Sequence, residues 1–99
     1  MISVSDKIKD KNIDFMFEAI LKLKDIEECY DFFEDLCTVT ELKAMSQRIV
    51  VAKMLRDKKV YSDIVAATGA STATISRVNR SLLYGTNGYE KIFARLDEE

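Results

Sequence analysis

An all-α fold of about six helices, ending in a helix-turn-helix and a short last helix, follows from three features of the sequence. There is no proline, and the glycines Gly69, Gly85 and Gly88 all lie in the last third, so no strong chain breaker precedes Gly69. A capping acceptor stands three residues before an acid at Asp25 and Glu28, at Thr38 and Glu41, and at Asn87 and Glu90, the spacing at which the two ends of a helix start satisfy each other. From Tyr61 to Tyr84 a short apolar-periodic segment, a glycine, a small polar residue and a second periodic segment follow in helix-turn-helix order.

These signals place helices at 13–24, 26–37, 39–57, 61–68, 72–83 and 88–96. The first carries Phe15, Met16, Phe17, Ala19, Ile20, Leu21 and Leu23, which cover more than one face of a helix. Burial within one bundle or against a second subunit would each account for that width. The second sets Cys29, Phe32, Phe33 and Leu36 at helical spacing, and the third does so with Leu42, Met45, Ile49 and Ala52, so each has a stripe for a core. In the fifth, Ile75, Val78 and Leu82 share a face expected to pack on Ile64, Ala67 and the third helix. The 99 residues suit one domain, with 13–57 expected as a helical dimerisation core, 61–83 as the helix-turn-helix and 88–96 as the last helix.

Composition excludes much. With no histidine and only Cys29 and Cys37, His-based triads, HExxH sites and four-ligand Cys/His zinc centres are ruled out, and no cofactor is expected. The two cysteines would lie on one helix about 12 Å apart, too far for a bridge, and are expected as buried, reduced thiols. No run approaches the roughly 18 to 20 apolar residues of a membrane span, and residues 1–12 lack the apolar core of a secretory signal, so a cytoplasmic protein is expected. The net charge of −2 hides an uneven distribution: Asp25 to Glu41 is purely acidic in its charges, whereas Lys43 to Arg80 is mostly basic. One part of the molecule suits phosphates and another repels them, although a plain solvated surface would look the same.

Chemistry concentrates in YSDIVAATGASTATISRVNRSLLY, residues 61–84. Gly69 supplies the backbone freedom that a tight turn requires, and Ser71 can accept from the unpaired N–H groups of the helix that follows. The face of that helix opposite Ile75, Val78 and Leu82 carries Ala73, Ser76, Arg77 and Arg80, with Thr72 at its leading turn. Hydroxyls can bond base edges or phosphates, a small methyl can touch thymine, and an arginine can pair with guanine or phosphate in a major groove. A helical hairpin with a merely solvated outer face is the plainer alternative.

Gly69-Ala70, then Ala73-Thr74-Ile75-Ser76-Arg77, then Ser81-Leu82 resembles the GA, ATI(S/T)R and SL signature of the Trp repressor family. Leu36, Thr38, Glu41, Ala44 and Arg48 look like the family's third-helix entry, so the similarity covers about 32–83, with one residue fewer before Gly69. The tail YGTNGYEKIFARL is similar to that of a related subgroup of small bacterial proteins rather than to the repressor itself. The resemblance implies an intertwined all-helical homodimer whose two recognition helices enter successive major grooves of double-stranded DNA, repressing transcription by occlusion. It places Thr72, Ala73 and Ser76 near base edges and Thr74 at a phosphate. Arg48 and Arg77 match arginines that sandwich a tryptophan indole, so a small-molecule effector pocket is expected, if anywhere, at Arg48, Arg77 and Ser81. Val78, however, stands where the repressor has a glycine beside the indole, which argues against tryptophan as corepressor and frees Arg77 for phosphate. Ser62 and Val65 replace an arginine and a lysine near DNA, and Lys53, Arg56, Lys58 and Lys59 are the cations available to compensate.

Two other classes stay open on the residues alone. A helix-turn-helix can bind protein instead of DNA, and Arg48, Lys53, Arg77 and Glu41 could line an anionic substrate pocket in a small helical enzyme. The second is disfavoured because Arg77 and Arg80 fall opposite the apolar stripe, and no enzymatic activity is expected.

Overall fold

The computed structural model describes residues 9–98, so residues 1–8 of the charged amino-terminal stretch lie outside it. Among the described residues there are six helices and no strand: α1 (Lys11–Ile20), α2 (Ile26–Leu36), α3 (Val39–Arg56), α4 (Tyr61–Thr68), α5 (Thr72–Tyr84) and α6 (Gly88–Asp97). The chain divides into two compact units, one up to Leu42 and one from Lys43 onward, with α3 running from the first into the second.

In the first unit helix boundaries follow local hydrogen bonding. Asp10 opens α1 by accepting from the Ile13 N–H at 2.8 Å, which moves the start two residues ahead of the expected one. The helix also stops at Ile20 rather than 24. Glu28 reaches back to the Lys24 N–H at 2.9 Å while Asp25 accepts from the Glu28 N–H at 2.8 Å, and these bonds hold Asp25 extended at φ −153°. A helical Lys24 is incompatible with that cap. Thr38 and Glu41 form the reciprocal pair the spacing predicts, at 2.9 and 3.1 Å. Because hydrogen bonds favour the charged form, the Thr38 N–H and hydroxyl hold the Glu41 carboxyl below its ordinary value.

No described residue of α1 or α2 is buried. Phe32, Phe33, Cys29 and Cys37 are half-buried and Leu36 is exposed, so the expected stripe of α2 is only partly covered and the thiols, though free, are not buried. Phe32 and Phe33 meet edge to face at 5.6 Å, an ordinary favourable aromatic geometry. Phe15 and Phe17 of α1, and Leu21 just after it, are exposed, while Met16, Ala19 and Ile20 are half-covered.

The second unit has a core. Val51 and Ala52 of α3, Ile64 of α4, Ala70 of the turn, Ile75 and Val78 of α5 and Phe93 of α6 form one buried apolar cluster, with Met54, Leu55, Leu82 and Tyr89 packed against it. Two expectations change here. Ala67 is exposed, and Ala70, in the turn itself, takes the buried place. On α3 the stripe turns inward at Val51 and Ala52, leaving Met45 and Ile49 exposed, because apolar residues at 49–52, 54 and 55 surround the helix and periodicity cannot choose a face.

Candidate nucleic-acid interface

Three connections aim the outer face of α5. The first closes α3. The Lys59 N–H donates to the Met54 carbonyl and the Lys58 N–H to the Leu55 carbonyl, each at 3.0 Å, with Lys58 left-handed at φ 65°. These are the two bonds of a Schellman cap, built here on a lysine where glycine is the usual residue. The second is the turn between α4 and α5. Gly69 sits at φ 70° and its N–H donates to the Val65 carbonyl at 2.8 Å. The Thr68 hydroxyl donates to the Ile64 carbonyl at 2.7 Å and accepts from the Ala70 N–H at 3.1 Å, and Gln47 Nε2 donates to the Thr68 carbonyl at 3.1 Å. The Val65 and Thr68 carbonyls, two of the four that the end of α4 leaves without an intrahelical partner, are thereby paired. The third is the start of α5, where Ser71 Oγ accepts from the Thr74 N–H at 3.1 Å and donates to Thr74 Oγ1 at 3.0 Å.

With Ile75 and Val78 buried, α5 presents Thr72, Ala73, Ser76, Arg77 and Arg80 as exposed side chains, while Thr74 is half-buried beside its cap. One helix thus combines a buried apolar side with an outer side of hydroxyls, a methyl and two guanidinium groups. Lys58 and Lys59 are exposed and form no ion pair among the described residues. The other two cations expected to compensate are engaged. Lys53 pairs with Asp57 at 3.0 Å. Arg56 is bonded through Nε and Nη2 to the two oxygens of Glu90, both at 3.0 Å, and through Nη1 to Asp97 at 2.9 Å. Those hydrogen bonds, from Glu90 first and Asp97 next, raise the Arg56 guanidinium above its ordinary value.

Glu90 is therefore not the capping partner of Asn87. Asn87 stands at the start of α6 in the left-handed region, φ 64°, without a side-chain cap. Arg48 is exposed on α3, and Arg77 and Ser81 are four apart on α5. Ser81 Oγ donates weakly to the Arg77 carbonyl at 3.4 Å. No hydrogen bond or ion pair joins Arg48 to either among the described residues. Val78, 2% exposed, lies in the core cluster with Phe93. Phe93 and the Arg56 pairs are what sequence reasoning missed: Tyr89, Ile92, Phe93 and Leu96 have helical spacing, but that spacing does not say that Phe93 alone is buried, and ion partners 34 and 41 residues apart leave no periodic signal.

Fold and site define an all-helical protein with a helix-turn-helix whose second helix bears an exposed polar and cationic face. Residues 11–97 match the family described as Trp repressor protein, and the chain belongs to that family, one of DNA-binding regulators rather than enzymes. It is 53% identical over 93 residues to the uncharacterized protein YerC of Bacillus subtilis (strain 168), covering 94% of this chain and 89% of the relative. It is also similar to the crystal structure of a TrpR-like protein from Eubacterium eligens, with 58% identity, a TM-score of 0.90, and coverage of 93% of this chain and 95% of that one. A crystal structure of a candidate Trp repressor from Staphylococcus aureus superposes with a TM-score of 0.92 at 47% identity, over 99% of this chain and 98% of that one. The family supports DNA binding, and no helix among the described residues is long and apolar enough to cross a membrane.

Proposed function

We propose that the chain is a sequence-specific transcriptional repressor, acting in the cytoplasm as a homodimer that occludes a near-palindromic operator. The observation that carries the proposal is the outer face of α5: Thr72, Ala73, Ser76, Arg77 and Arg80 exposed opposite buried Ile75 and Val78, directly after a capped, left-handed glycine turn. Thr72 and Ser76 bond base edges and Ala73 contacts a thymine methyl. Thr74 uses its remaining hydroxyl hydrogen on a phosphate, its oxygen being occupied by Ser71. Arg77, Arg80, Lys58 and Lys59 neutralise phosphates and set register.

Support for the homodimer comes from the first unit, where Phe15 is 72%, Leu21 82% and Ile26 75% exposed while no described residue of α1 or α2 is buried. At roughly 25 cal/mol per Å² of apolar surface, helices left in this state have little reason to fold alone, and a second copy supplies the missing surface. Phe15→Glu is expected to lower the mass seen by light scattering to that of a monomer. A persistent dimer would remove α1 from the interface.

Tryptophan is not the corepressor in this proposal, since Val78 stands where the resemblance puts a glycine beside the indole, and a valine there carries a branched side chain that glycine lacks. Any effector at Arg48, Arg77 and Ser81 is therefore of a different shape. Anisotropy of labelled duplexes at ~50 and ~200 mM salt tests the DNA proposal, with saturable binding that falls steeply with salt and favours the upstream region of the gene over random sequence as the expected result. Absence of binding at both salts would instead favour a protein-binding helix-turn-helix. Micromolar tryptophan binding by calorimetry would refute the corepressor statement.

A further inference from the structure

The four helices of the second unit do not contribute equally to fixing the helix-turn-helix. α4 and α5 have one buried isoleucine and two buried residues respectively, too little to define an orientation by themselves. The rest of the buried cluster is Val51 and Ala52 of α3, Ala70 of the turn and a single aromatic, Phe93, from α6, 3% exposed. Phe93 has two further partners. Tyr89 stacks on it at 6.0 Å between ring centroids with an interplanar angle of 12°, and the Arg56 guanidinium lies over its ring at 5.8 Å. The same guanidinium directs its donors to Glu90 and Asp97, the two acids that flank Phe93 along α6. One arginine of α3 therefore bonds to α6 on both sides of Phe93, and Phe93 shares its buried cluster with residues of α3 and of the helix-turn-helix.

The link into α6 is also specified. A Cβ on Gly85 would stand 2.3 Å from the Ser81 carbonyl oxygen, so only glycine permits the chain to leave α5 in this direction. Asn87 then takes the left-handed conformation that asparagine tolerates better than most residues. Both acids are more than half exposed, at 56% and 54%, so the grip is accessible to salt and to competing charges even though Phe93 is not.

We infer that α6 is a clasp for the reading head: Phe93 is a positioning residue that holds α4 and α5 against α3, and the Arg56 grip on Glu90 and Asp97 keeps it seated. The inference rests on the DNA-binding proposal for its consequence, because a head loosened from α3 no longer presents Ser76 and Ala73 to the bases in register. The cations of the head remain, so phosphate attraction persists while sequence discrimination falls. A head competent about a tenth of the time binds its site about tenfold more weakly.

The test uses the full chain with a Glu90→Ala/Asp97→Ala double variant and, separately, Phe93→Ala. Each is titrated against a duplex selected by the unsubstituted protein from a random pool, and against random sequence. Removing two acids would on charge alone strengthen binding to every duplex. The clasp predicts the reverse for the selected duplex, with its preference over random sequence falling by about tenfold. Phe93→Ala is expected to lose at least as much preference. A general loss of folded protein would weaken both duplexes together and leave their ratio unchanged. Preference unchanged in the double variant overturns the inference, whatever Phe93→Ala does. Hydrogen exchange of α4 and α5 amides is followed in parallel, without DNA. If the unsubstituted protein shows no preference between duplexes, the DNA-binding proposal fails and exchange decides alone: faster exchange in α4 and α5 of the double variant supports the clasp, and unchanged exchange overturns it.

Discussion

Lys58→Gly should make the protein more stable and a poorer DNA binder at once. Lys58 occupies the left-handed position of the cap that ends α3, at φ 65°. The left-handed conformation costs an L-residue with a Cβ roughly 1–2 kcal/mol. Glycine escapes that cost but loses about 0.5–1 kcal/mol more than other residues when its chain freedom is fixed. The balance is a gain on the order of 0.5–1 kcal/mol, which for a domain this small raises Tm by about 2–8 °C. The hydrogen bonds of the cap use only backbone atoms, so the substitution leaves them intact. Binding moves in the other direction, because each phosphate that is no longer neutralised lowers the slope of log K against log salt by about 0.9. Thermal melts at one fixed protein concentration, with anisotropy at several salt concentrations, measure both, and Lys59→Gln serves as the partner variant that removes charge without relieving strain. A lower Tm for Lys58→Gly would refute the argument from backbone conformation. An unchanged salt slope would remove Lys58 from the interface.

Two further outcomes follow from the caps. Ser71→Ala removes the acceptor for the Thr74 N–H and should cost about 1 kcal/mol in denaturant unfolding, with Ser71→Asn restoring most of it. Glu41 titrates below its ordinary value of 4.5 in the folded protein, so its bond to Thr38 adds stability above that pH, and the contribution disappears as pH falls through the lowered folded value. Glu41→Gln keeps a capping side chain but cannot titrate, so its stability relative to the unsubstituted protein should be constant above about pH 5 to 6 and improve in more acidic solution. A difference independent of pH would refute the role of the charged carboxylate.

The helix-turn-helix was legible because its signals are local. Gly69 in the left-handed region, Ser71 as cap and Ile75 with Val78 inward each depend on residues within a turn or two, and all three hold in the structure. Thr38 with Glu41 is the same kind of signal. What escaped depends on distance or on competition. The early end of α1 is set by Glu28 taking the Lys24 N–H, a reach that competes with continued helix and leaves no mark in apolar periodicity. Asn87 and Glu90 have capping spacing, yet a bidentate arginine from α3 is a stronger partner for that carboxylate than a lone backbone N–H. Val51 was hidden by a helix apolar on nearly every side, and Phe93 by standing in a short tail helix whose core neighbours lie 15 to 42 residues away in sequence. Lys53 and Arg56 looked like phosphate ligands by composition, and only their ion pairs distinguish them from Lys58 and Lys59.

The central claim is that the outer face of α5 reads bases while the lysines after α3 hold the backbone. Selection of bound duplexes from a random pool, carried out with the unsubstituted protein, Ser76→Ala and Lys59→Gln, tests it most directly. The account predicts a two-fold symmetric site whose half-sites are centred about 34 Å apart. Ser76→Ala should alter the preferred base at one position in each half-site, whereas Lys59→Gln should weaken binding and leave the preferred sequence unchanged. A Ser76→Ala consensus identical to that of the unsubstituted protein, or no enrichment of any sequence, would contradict the claim.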